Sequence, residues 1–368
     1  MAEELDPSIA RQFAIEGRLL DAAPHSSGII NDTFVSRYET PGGVKRYIHQ
    51  RINQNVFREP VKVMENIERV TRYARERILA AGGDPERETL TLVPTREGRS
   101  YYCTPTGDYW RTYHFIEGAR TYEVSDNPTH VYEAAKAFGH FVKLLDSLPG
   151  PRLHETIPNF HYTPRRFAAF TEAVQADPAH RARECRAEIQ FLLEREAYAP
   201  VVTRMLEEGR IPERVTHNDT KLNNVLIDDA TGKGICVIDL DTMMPGSVLY
   251  DFGDLIRMGA ATAPEDEADL SKVTVNLAMF DQLAHGYLDA TRDFLTPLEI
   301  EYLVFGGILI TYEQAIRFLM DYLKGDVYYK VRRPGQNLDR ARNQIKMLAD
   351  MERLRPQMEA IIQKYAGI

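Results

Sequence analysis

The sequence predicts an α+β protein with two lobes: a small lobe built on an antiparallel sheet, followed by a larger, mainly helical lobe. At 368 residues the chain exceeds the roughly 100–200 residues of a typical domain. Residues 20–116 alternate several short β-like segments with one helical segment, whereas the rest is helical apart from a short β insertion at 215–241. We therefore predict an N-terminal lobe of residues 1–116 and a C-terminal lobe of residues 117–368.

The N-terminal lobe is predicted from apolar periodicity and turn residues. The first ~20 residues predict a helix that ends near Gly17. The segments GIINDTFVSRYET and KRYIHQRI flank a PGG turn and predict two paired strands. A helix is expected next, because apolar residues recur at helical spacing before a glycine pair. Three further strands are predicted in the segments TLTLVPT, SYYCTP and YWRTYHFIEG.

The C-terminal lobe begins after a hinge that we expect near 114–118. A long amphipathic helix, PTHVYEAAKAFGHFVKLLDSLP, is closed by proline. Residues 150–215 are predicted to be helical with proline breaks, and the chain is predicted to be helical again from residue 272. The exception is the insertion at 215–241, which carries the polar residues discussed below.

Composition and charge limit the partners that the chain can have. The net charge of −9 argues against a nucleic acid or an anionic membrane, since both require a basic surface. The longest apolar run, YLVFGGILITY, falls short of the ~18 residues of a membrane span. Cys103, Cys185 and Cys236 are far apart and odd in number, which predicts neither a disulfide framework nor a zinc site. With an N-terminus unlike a signal peptide, these features predict a soluble, cytoplasmic protein.

The stretch VTHNDTKLNNVLIDD places His217, Asp219 and Asn224 directly before an apolar strand. Asn and Asp are also ordinary turn residues, so a simple polar turn is the alternative. A second strand, ICVIDL, returns Asp239 beside this turn, so two carboxylates and an amide converge. Phosphoryl transfer uses such a set: one Asp orients the attacking hydroxyl, while an Asn and a second Asp hold Mg²⁺ on the nucleotide phosphates. The spacing H-x-D-x-x-x-x-N also matches the catalytic loop of kinases.

The sequence HNDTKLNNVL, followed by VIDLDT, resembles the signature of the aminoglycoside phosphotransferase and choline kinase superfamily, H-G-D-x-x-x-x-N followed by I-D-[WF]. This resemblance implies a two-lobed, protein-kinase-like fold. Longer stretches, HQRINQNVF, CVIDLDTMMPGS and YEQAIRFLMDYLKGDVYYK, resemble the N-acetylhexosamine 1-kinases. The resemblance extends from about residue 25 to about residue 350 and so covers both lobes.

The resemblance implies a role for each matching residue. Asp219 would be the catalytic base, Asn224 and Asp239 would be the Mg²⁺ ligands, and His217 would brace the loop through backbone hydrogen bonds. The hinge segment HFIEG, with His114 and Ile116, would bind the adenine of ATP through main-chain groups. The segment SSGIINDTF would cover the phosphates, although Gly28 is its only glycine.

The segment KRYIHQRI has no unambiguous lysine at the place where the resemblance puts the residue that pairs the nucleotide phosphates. Gln50 and Arg51 could occupy it, and strand alternation puts their side chains on opposite faces. We predict that Arg51 points inward, with Glu65 or Glu68 as its partner on the following helix.

The resemblance also places the acceptor side of the site. Arg317 would contact a sugar, with Tyr328 near the same pocket; the alternative is an intrahelical salt-bridge ladder with Glu313 and Asp321. Asp241 lies two residues after Asp239 and could be a metal or substrate group or a turn residue. Asp251 and Asp254 are predicted first as acids at a helix N-terminus, where the helix dipole favours them.

Together these features predict a kinase that uses ATP and Mg²⁺ to phosphorylate the anomeric hydroxyl of an N-acetylhexosamine. The alternatives are the same fold acting on another sugar, choline, homoserine or an aminoglycoside, and a nucleotide-binding pseudokinase without turnover. No nucleic-acid or membrane partner is expected.

Overall fold

The N-terminal part of the chain forms a five-stranded antiparallel sheet. The computed structural model describes residues 5–25, 30–123 and 127–367. The strand order is β1-β2-β3-β5-β4, and every neighbouring pair is antiparallel. The strands are β1 (Arg18–Pro24), β2 (Asp32–Thr40), β3 (Gly43–Arg51), β4 (Tyr102–Cys103) and β5 (Tyr109–His114).

The predicted helix over the first ~20 residues is wrong except for one turn, α1 (Pro7–Ala10), which Asp6 caps. The chain then enters β1, which the sequence did not indicate. At the start of β1, Gly17 has φ +98° and lies so close to the Glu39 carbonyl that a Cβ would be 2.2 Å from its oxygen. Only glycine fits that backbone approach, so Gly17 begins the edge strand and does not end a helix.

The predicted strand TLTLVPT is also wrong. Within it the structure has only isolated bridges, from Leu92 to Tyr113 and from Thr95 to Phe13. Pro94 lies between these bridges, and because proline has no backbone N–H it cannot continue a ladder of hydrogen bonds. The helix expected between the strands is present as α2 (Pro60–Ala80), and a short α3 (Pro85–Glu88) follows it.

The C-terminal part is mainly helical, as predicted. Helix α10 lies at its centre, and 83% of its most apolar 18-residue window is buried inside the protein. Among the residues that the structure describes, α10 alone has the length and composition of a membrane span, and its burial is that of a core helix. The helices are α4 (Pro128–Leu145), α5 (Thr163–Ala176), α6 (Arg186–Leu193), α7 (Val201–Glu207), α8 (Val248–Gly259), α9 (Leu277–Thr291), α10 (Pro297–Leu323) and α11 (Gln336–Ala366).

The β insertion is present where the sequence predicted it. Strands β8 and β9 form the expected antiparallel hairpin, and β6 adds to β8 on its other edge. A second small ribbon pairs β7 with β10. The strands are β6 (Ala119–Arg120), β7 (Arg214–Thr216), β8 (Val225–Asp228), β9 (Gly234–Val237) and β10 (Met244–Gly246).

Two hydrophobic cores organise the fold. The smaller core lies between α1 and one face of the five-stranded sheet and includes Phe13, Phe34 and Trp110. The larger core runs from α2 through the helical part, so α2 and the other face of the sheet pack toward the C-terminal lobe. Since this core includes residues on both sides of the hinge, the division at residue 116 stays a prediction.

Candidate active site

The loop between β7 and β8 is held by a buried histidine. His217 Nε2 donates to the carbonyl of Ile238 at 2.9 Å, and its Nδ1 accepts the backbone N–H of Asp219 at 3.3 Å. The ring of Phe138 packs edge-on against the imidazole, with centroids 5.3 Å apart. His217 thus makes the bracing backbone hydrogen bonds that the sequence predicted, and it ties the loop to the end of β9.

Asn218 occupies the place where the superfamily signature has glycine. Its φ is +63°, in the left-handed region, which Asn tolerates better than most other residues with a side chain. The carboxylate of Asp251 accepts the backbone N–H groups of His217 at 2.9 Å and Asn218 at 2.7 Å. Asp251 lies in the first turn of α8, as expected, but its main contact is with this loop, 34 residues earlier in the chain.

Asp219 is oriented by two neighbours. Asn224 Nδ2 donates to the Asp219 carboxylate at 3.1 Å, and the ammonium of Lys221 lies 2.8 Å from it. Burial raises the pKa of Asp219, but Lys221 and these hydrogen bonds outweigh burial and lower the pKa below its usual value. The side chain keeps 27% of its surface exposed. Asp219 is therefore an ionised, accessible carboxylate at neutral pH.

Asp239 stands beside this carboxylate at the end of β9. Burial, Asp241 and Asp219 raise the pKa of Asp239 to about 7. Its carboxylate has no hydrogen-bond or ion-pair partner among the described residues, and the Asn224 amide nitrogen is turned to Asp219, which leaves Asn224 Oδ1 free to coordinate. An acid with a raised pKa next to an amide oxygen fits a divalent cation, which would relieve the carboxylate repulsion. Mg²⁺ needs only one or two such protein ligands beside phosphates and water.

Asp241 is buried and faces the N-terminal lobe. Its two oxygens form an ion pair with Arg111, including an Nη2 to Oδ2 distance of 3.0 Å, and Asn31 Nδ2 donates to Oδ2 at 2.5 Å. A metal or substrate role for Asp241 stays a prediction. Arg111 is a site residue that the sequence did not reveal, since it belongs to an ordinary strand pattern.

The structure reverses the expected orientation of β3. Gln50 is on the face toward the C-terminal lobe, where its Oε1 accepts from Arg111 at 2.8 and 3.0 Å. Arg51 is on the other face, paired with Asp32 at 2.7 Å and 6.0 Å from the centre of the Trp110 ring. The predicted inward position of Arg51 is therefore wrong, because alternation allows only one of the two residues to face the cleft.

Glu65, one of the two helix partners predicted for Arg51, makes a different contact. Glu65 pairs with His154 Nε2 at 2.7 Å and so links α2 to the C-terminal lobe. Gly28 lies outside the described residues.

The segment predicted to be the hinge directly follows β5, and its role as a hinge stays a prediction. His114 ends the strand, and the N–H of Phe115 donates to the carbonyl of Arg46 at 3.2 Å. In the part of the chain that the structure describes, neither the N–H nor the carbonyl of buried Ile116 has a hydrogen-bond partner. Adenine binding by His114 and Ile116 stays a prediction, and the Ile116 main chain is available for it.

Comparison with known proteins agrees with this geometry. A family model described as "Phosphotransferase enzyme family" matches residues 21–291, more than half of the chain. This chain belongs to the phosphotransferase enzyme family.

Solved structures support the same fold at low sequence identity. An aminoglycoside phosphotransferase from Alicyclobacillus acidocaldarius is 14% identical, with a TM-score of 0.60 and 98% of each chain covered. An amicoumacin kinase in complex with AMP-PNP, Ca²⁺ and Ami is 14% identical, with a TM-score of 0.59 over 92% of each chain. A choline kinase from Cryptosporidium parvum is 14% identical, with a TM-score of 0.55 over 95% of this chain and 93% of that one. The kinase-like fold and the superfamily predicted from the sequence are confirmed.

The predicted acceptor side of the site lies on α10. Arg317 is not in the intrahelical ladder, because Glu313 accepts from His161 and Thr163 at 2.9 and 2.6 Å. Asp321 is likewise occupied, and it accepts three backbone N–H groups of the loop at 327–329.

The guanidinium of Arg317 lies between two rings, with Cζ 5.7 Å from the centroids of Phe160 and Tyr329. Its Nη1 donates to Gln314 Oε1 at 3.0 Å, and no carboxylate lies within 4 Å of it among the described residues, so its remaining N–H groups are available to a ligand. Tyr328 is 69% exposed and packs edge-on against Tyr329. Sugar contacts by Arg317 and Tyr328 stay predictions.

Proposed function

We propose that this phosphotransferase is an ATP- and Mg²⁺-dependent kinase that phosphorylates the anomeric hydroxyl of an N-acetylhexosamine. The observation that supports this proposal is the convergence of an ionised Asp219 with Asn224 and an unpartnered Asp239 at the mouth of one hairpin. A structural polar turn would have satisfied these groups internally, whereas the Asp239 carboxylate has no partner among the residues that the structure describes.

The residues divide the chemistry of phosphoryl transfer. Asp219 accepts a hydrogen bond from the acceptor hydroxyl, aligns its oxygen with the γ-phosphorus and receives its proton. Lys221 keeps Asp219 ionised and adds a positive charge near the transferred group. Asn224 and Asp239 would hold Mg²⁺, which neutralises charge on the phosphates when bound. His217 and Asp251 keep the loop in place, and this matters because catalysis of this kind depends mainly on positioning.

The acceptor pocket favours a neutral sugar over a cationic acceptor. Arg317 has no ion-pair partner among the described residues, and Arg166 lies near enough that burial and the Arg317 charge together lower the pKa of Arg166. Two guanidinium groups would repel choline or a polycationic aminoglycoside, whereas they can donate to the hydroxyl and acetamide oxygens of an amino sugar. The aromatic rings of Phe160 and Tyr329 beside Arg317 suit a sugar face.

Nucleotide and metal use are supported by a relative of the same fold. The amicoumacin kinase structure contains AMP-PNP and Ca²⁺. The three cysteines of this chain are free, as expected for a reducing compartment, and we place the enzyme in the cytoplasm.

The test is a coupled ADP-release assay with Mg-ATP across N-acetylglucosamine, N-acetylgalactosamine, glucose, choline, homoserine and kanamycin. The matched control is Asp219→Asn, which keeps the shape of the side chain and removes its charge. Turnover confined to the N-acetylated sugars, and reduced at least 100-fold in the variant, is the expected result. Turnover only with choline or kanamycin would refute the acceptor argument, and absence of turnover with every compound would favour a pseudokinase.

The acceptor argument has its own variant. Arg317→Met should raise KM for the sugar at least tenfold and leave KM for ATP within twofold, because Arg317 lies on α10 and away from the hinge. An equal rise in both constants would contradict a sugar contact.

A further inference from the structure

Near its C-terminal end, β3 presents Gln50 and not a cation to the cleft, and the neighbouring strand β5 carries Arg111 opposite that position. On the proposed function, in which ATP is the phosphoryl donor, we propose that Arg111 on β5 replaces the cation expected on β3. It acts as a positioning residue that supplies positive charge near the phosphates and connects the lobes through Asp241 and Asn31.

The register of the sheet puts Arg111 directly opposite the β3 position where a cation would be expected. Gln50, a cleft-facing residue of β3, is paired with Arg111 of β5. Gln50 Oε1 accepts from Arg111 Nε at 3.0 Å and Nη2 at 2.8 Å, so the amide fixes the plane of the guanidinium. A cation on β5 therefore lies one strand away from the place where β3 would present it, on the same face of the sheet.

Arg111 is 1% exposed and is the largest fully buried side chain among the described residues. A buried charge is retained only when it is paired, and here the partner is Asp241, two residues after the proposed metal ligand Asp239. Asp241 in turn accepts from Asn31 at 2.5 Å, and Asn31 Oδ1 accepts the N–H of Asn53 at 2.9 Å. This chain of contacts joins β5, the metal-site turn and the segment predicted to cover the phosphates.

A second residue on the same face independently points to a ligand. Tyr113 follows Arg111 by two residues, its ring centroid lies 5.4 Å from Arg111 Cζ, and its side chain is buried. Its hydroxyl has no hydrogen-bond partner among the described residues, and burial together with the Asp241 and Asp239 carboxylates raises its pKa. A buried hydroxyl without a partner is unfavourable, so this donor fits an acceptor oxygen that arrives with the ligand.

Charge balance explains why Arg111 matters. Asp219, Asp239 and Asp241 bring three carboxylates to the region where a polyanionic nucleotide would bind. Lys221 offsets one of these charges and Arg111 a second, and Mg²⁺ would offset the remainder. Without Arg111, Asp241 would be an unpaired anion beside the phosphates, so binding of the phosphates would weaken while adenine binding at the hinge would not change.

The experiment compares Mg-ATP with adenosine by calorimetric titration of the full chain. Arg111→Gln should weaken Mg-ATP binding at least tenfold and leave adenosine binding within twofold, and Arg111→Lys should lose less. The decisive variant carries Gln50→Lys together with Arg111→Gln, which moves the cation across the strand pair and should restore Mg-ATP affinity to within threefold of wild type. Arg37→Gln, an exposed arginine on β2, is the matched control.

The outcomes separate this inference from the proposed function. Arg111→Gln that binds Mg-ATP as wild type does, or that loses ATP and adenosine affinity equally, overturns the role of Arg111. If Arg111→Gln does not fold, the double variant decides: recovery of Mg-ATP binding supports the inference, and a folded protein with more than tenfold weaker binding overturns it. Wild-type protein that binds neither ATP nor adenosine would instead refute the proposed function.

Discussion

Asp239→Asn should stabilise the metal-free protein at alkaline pH while abolishing its activity. The carboxylate of Asp239 is partly buried beside Asp241 and Asp219, which raises its pKa from 3.8 to about 7. Ionising it in the folded protein is therefore unfavourable, and an amide of the same shape removes that charge. Residues placed for metal binding commonly reduce stability until the metal arrives.

The magnitude follows from proton linkage. Because the folded pKa lies above the unfolded one, the folded protein binds more protons between about pH 4 and pH 7, so stability falls as the pH rises through that window. One pKa unit corresponds to about 1.4 kcal/mol, so the ionised carboxylate lowers the free energy of unfolding by up to about 4 kcal/mol near pH 8.5. Near pH 5.5 the same linkage gives about 2 kcal/mol. The advantage of the variant should therefore grow by about 2 kcal/mol between these pH values.

The assay is urea unfolding of wild type and Asp239→Asn at both pH values, in EDTA and without nucleotide. Asp241→Asn is the matched control, since its carboxylate is paired with Arg111 and its loss should destabilise the protein by about 3–5 kcal/mol. The two acids are two residues apart, yet the substitutions should have opposite signs. If Asp239→Asn is less stable than wild type near pH 8.5, the ionised Asp239 carboxylate does not destabilise the folded protein, and the argument for a cation site fails.

Three further predictions concern the loop and the packing that support the site. Asp251→Ala should lower the free energy of unfolding by about 2–3 kcal/mol and lower kcat at least 100-fold, because it removes the acceptor of two buried loop N–H groups. Urea unfolding and steady-state kinetics would measure both effects, and an unchanged kcat would contradict the prediction. Asn218→Ala should lose about 1–2 kcal/mol at its positive φ, whereas Asn218→Gly should lose less, and equal losses would show that strain is not the cause. Gly253→Ala should lower the thermal midpoint, since its Cβ would lie 2.4 Å from the Gly306 carbonyl oxygen, whereas Gly42→Ala has room and should not.

Local chain spacing carried most of the functional prediction. The H-x-D-x-x-x-x-N spacing and the following hairpin are short-range features, so the sequence alone predicted that Asp219, Asn224 and Asp239 converge. Helical periodicity likewise predicted the helical lobe, and β-strand alternation predicted β2 and β3. The β1 strand was missed because Gly17, which resembles a helix stop, is a close backbone contact with β2.

Contacts between distant segments required the tertiary structure. Strand alternation predicts that the side chains of Gln50 and Arg51 lie on opposite faces of the sheet. Only the packing of one face on α2 and the C-terminal lobe decides which side chain lies in the cleft. Arg111 and Asp241 are 130 residues apart in the chain, and Asp251 and His217 are 34 residues apart, so no local sequence pattern predicts either contact. The sequence by itself determined which chemistry this chain carries, because that motif is local. Tertiary structure decided which charges support it, because burial and cross-strand register are properties of the folded chain.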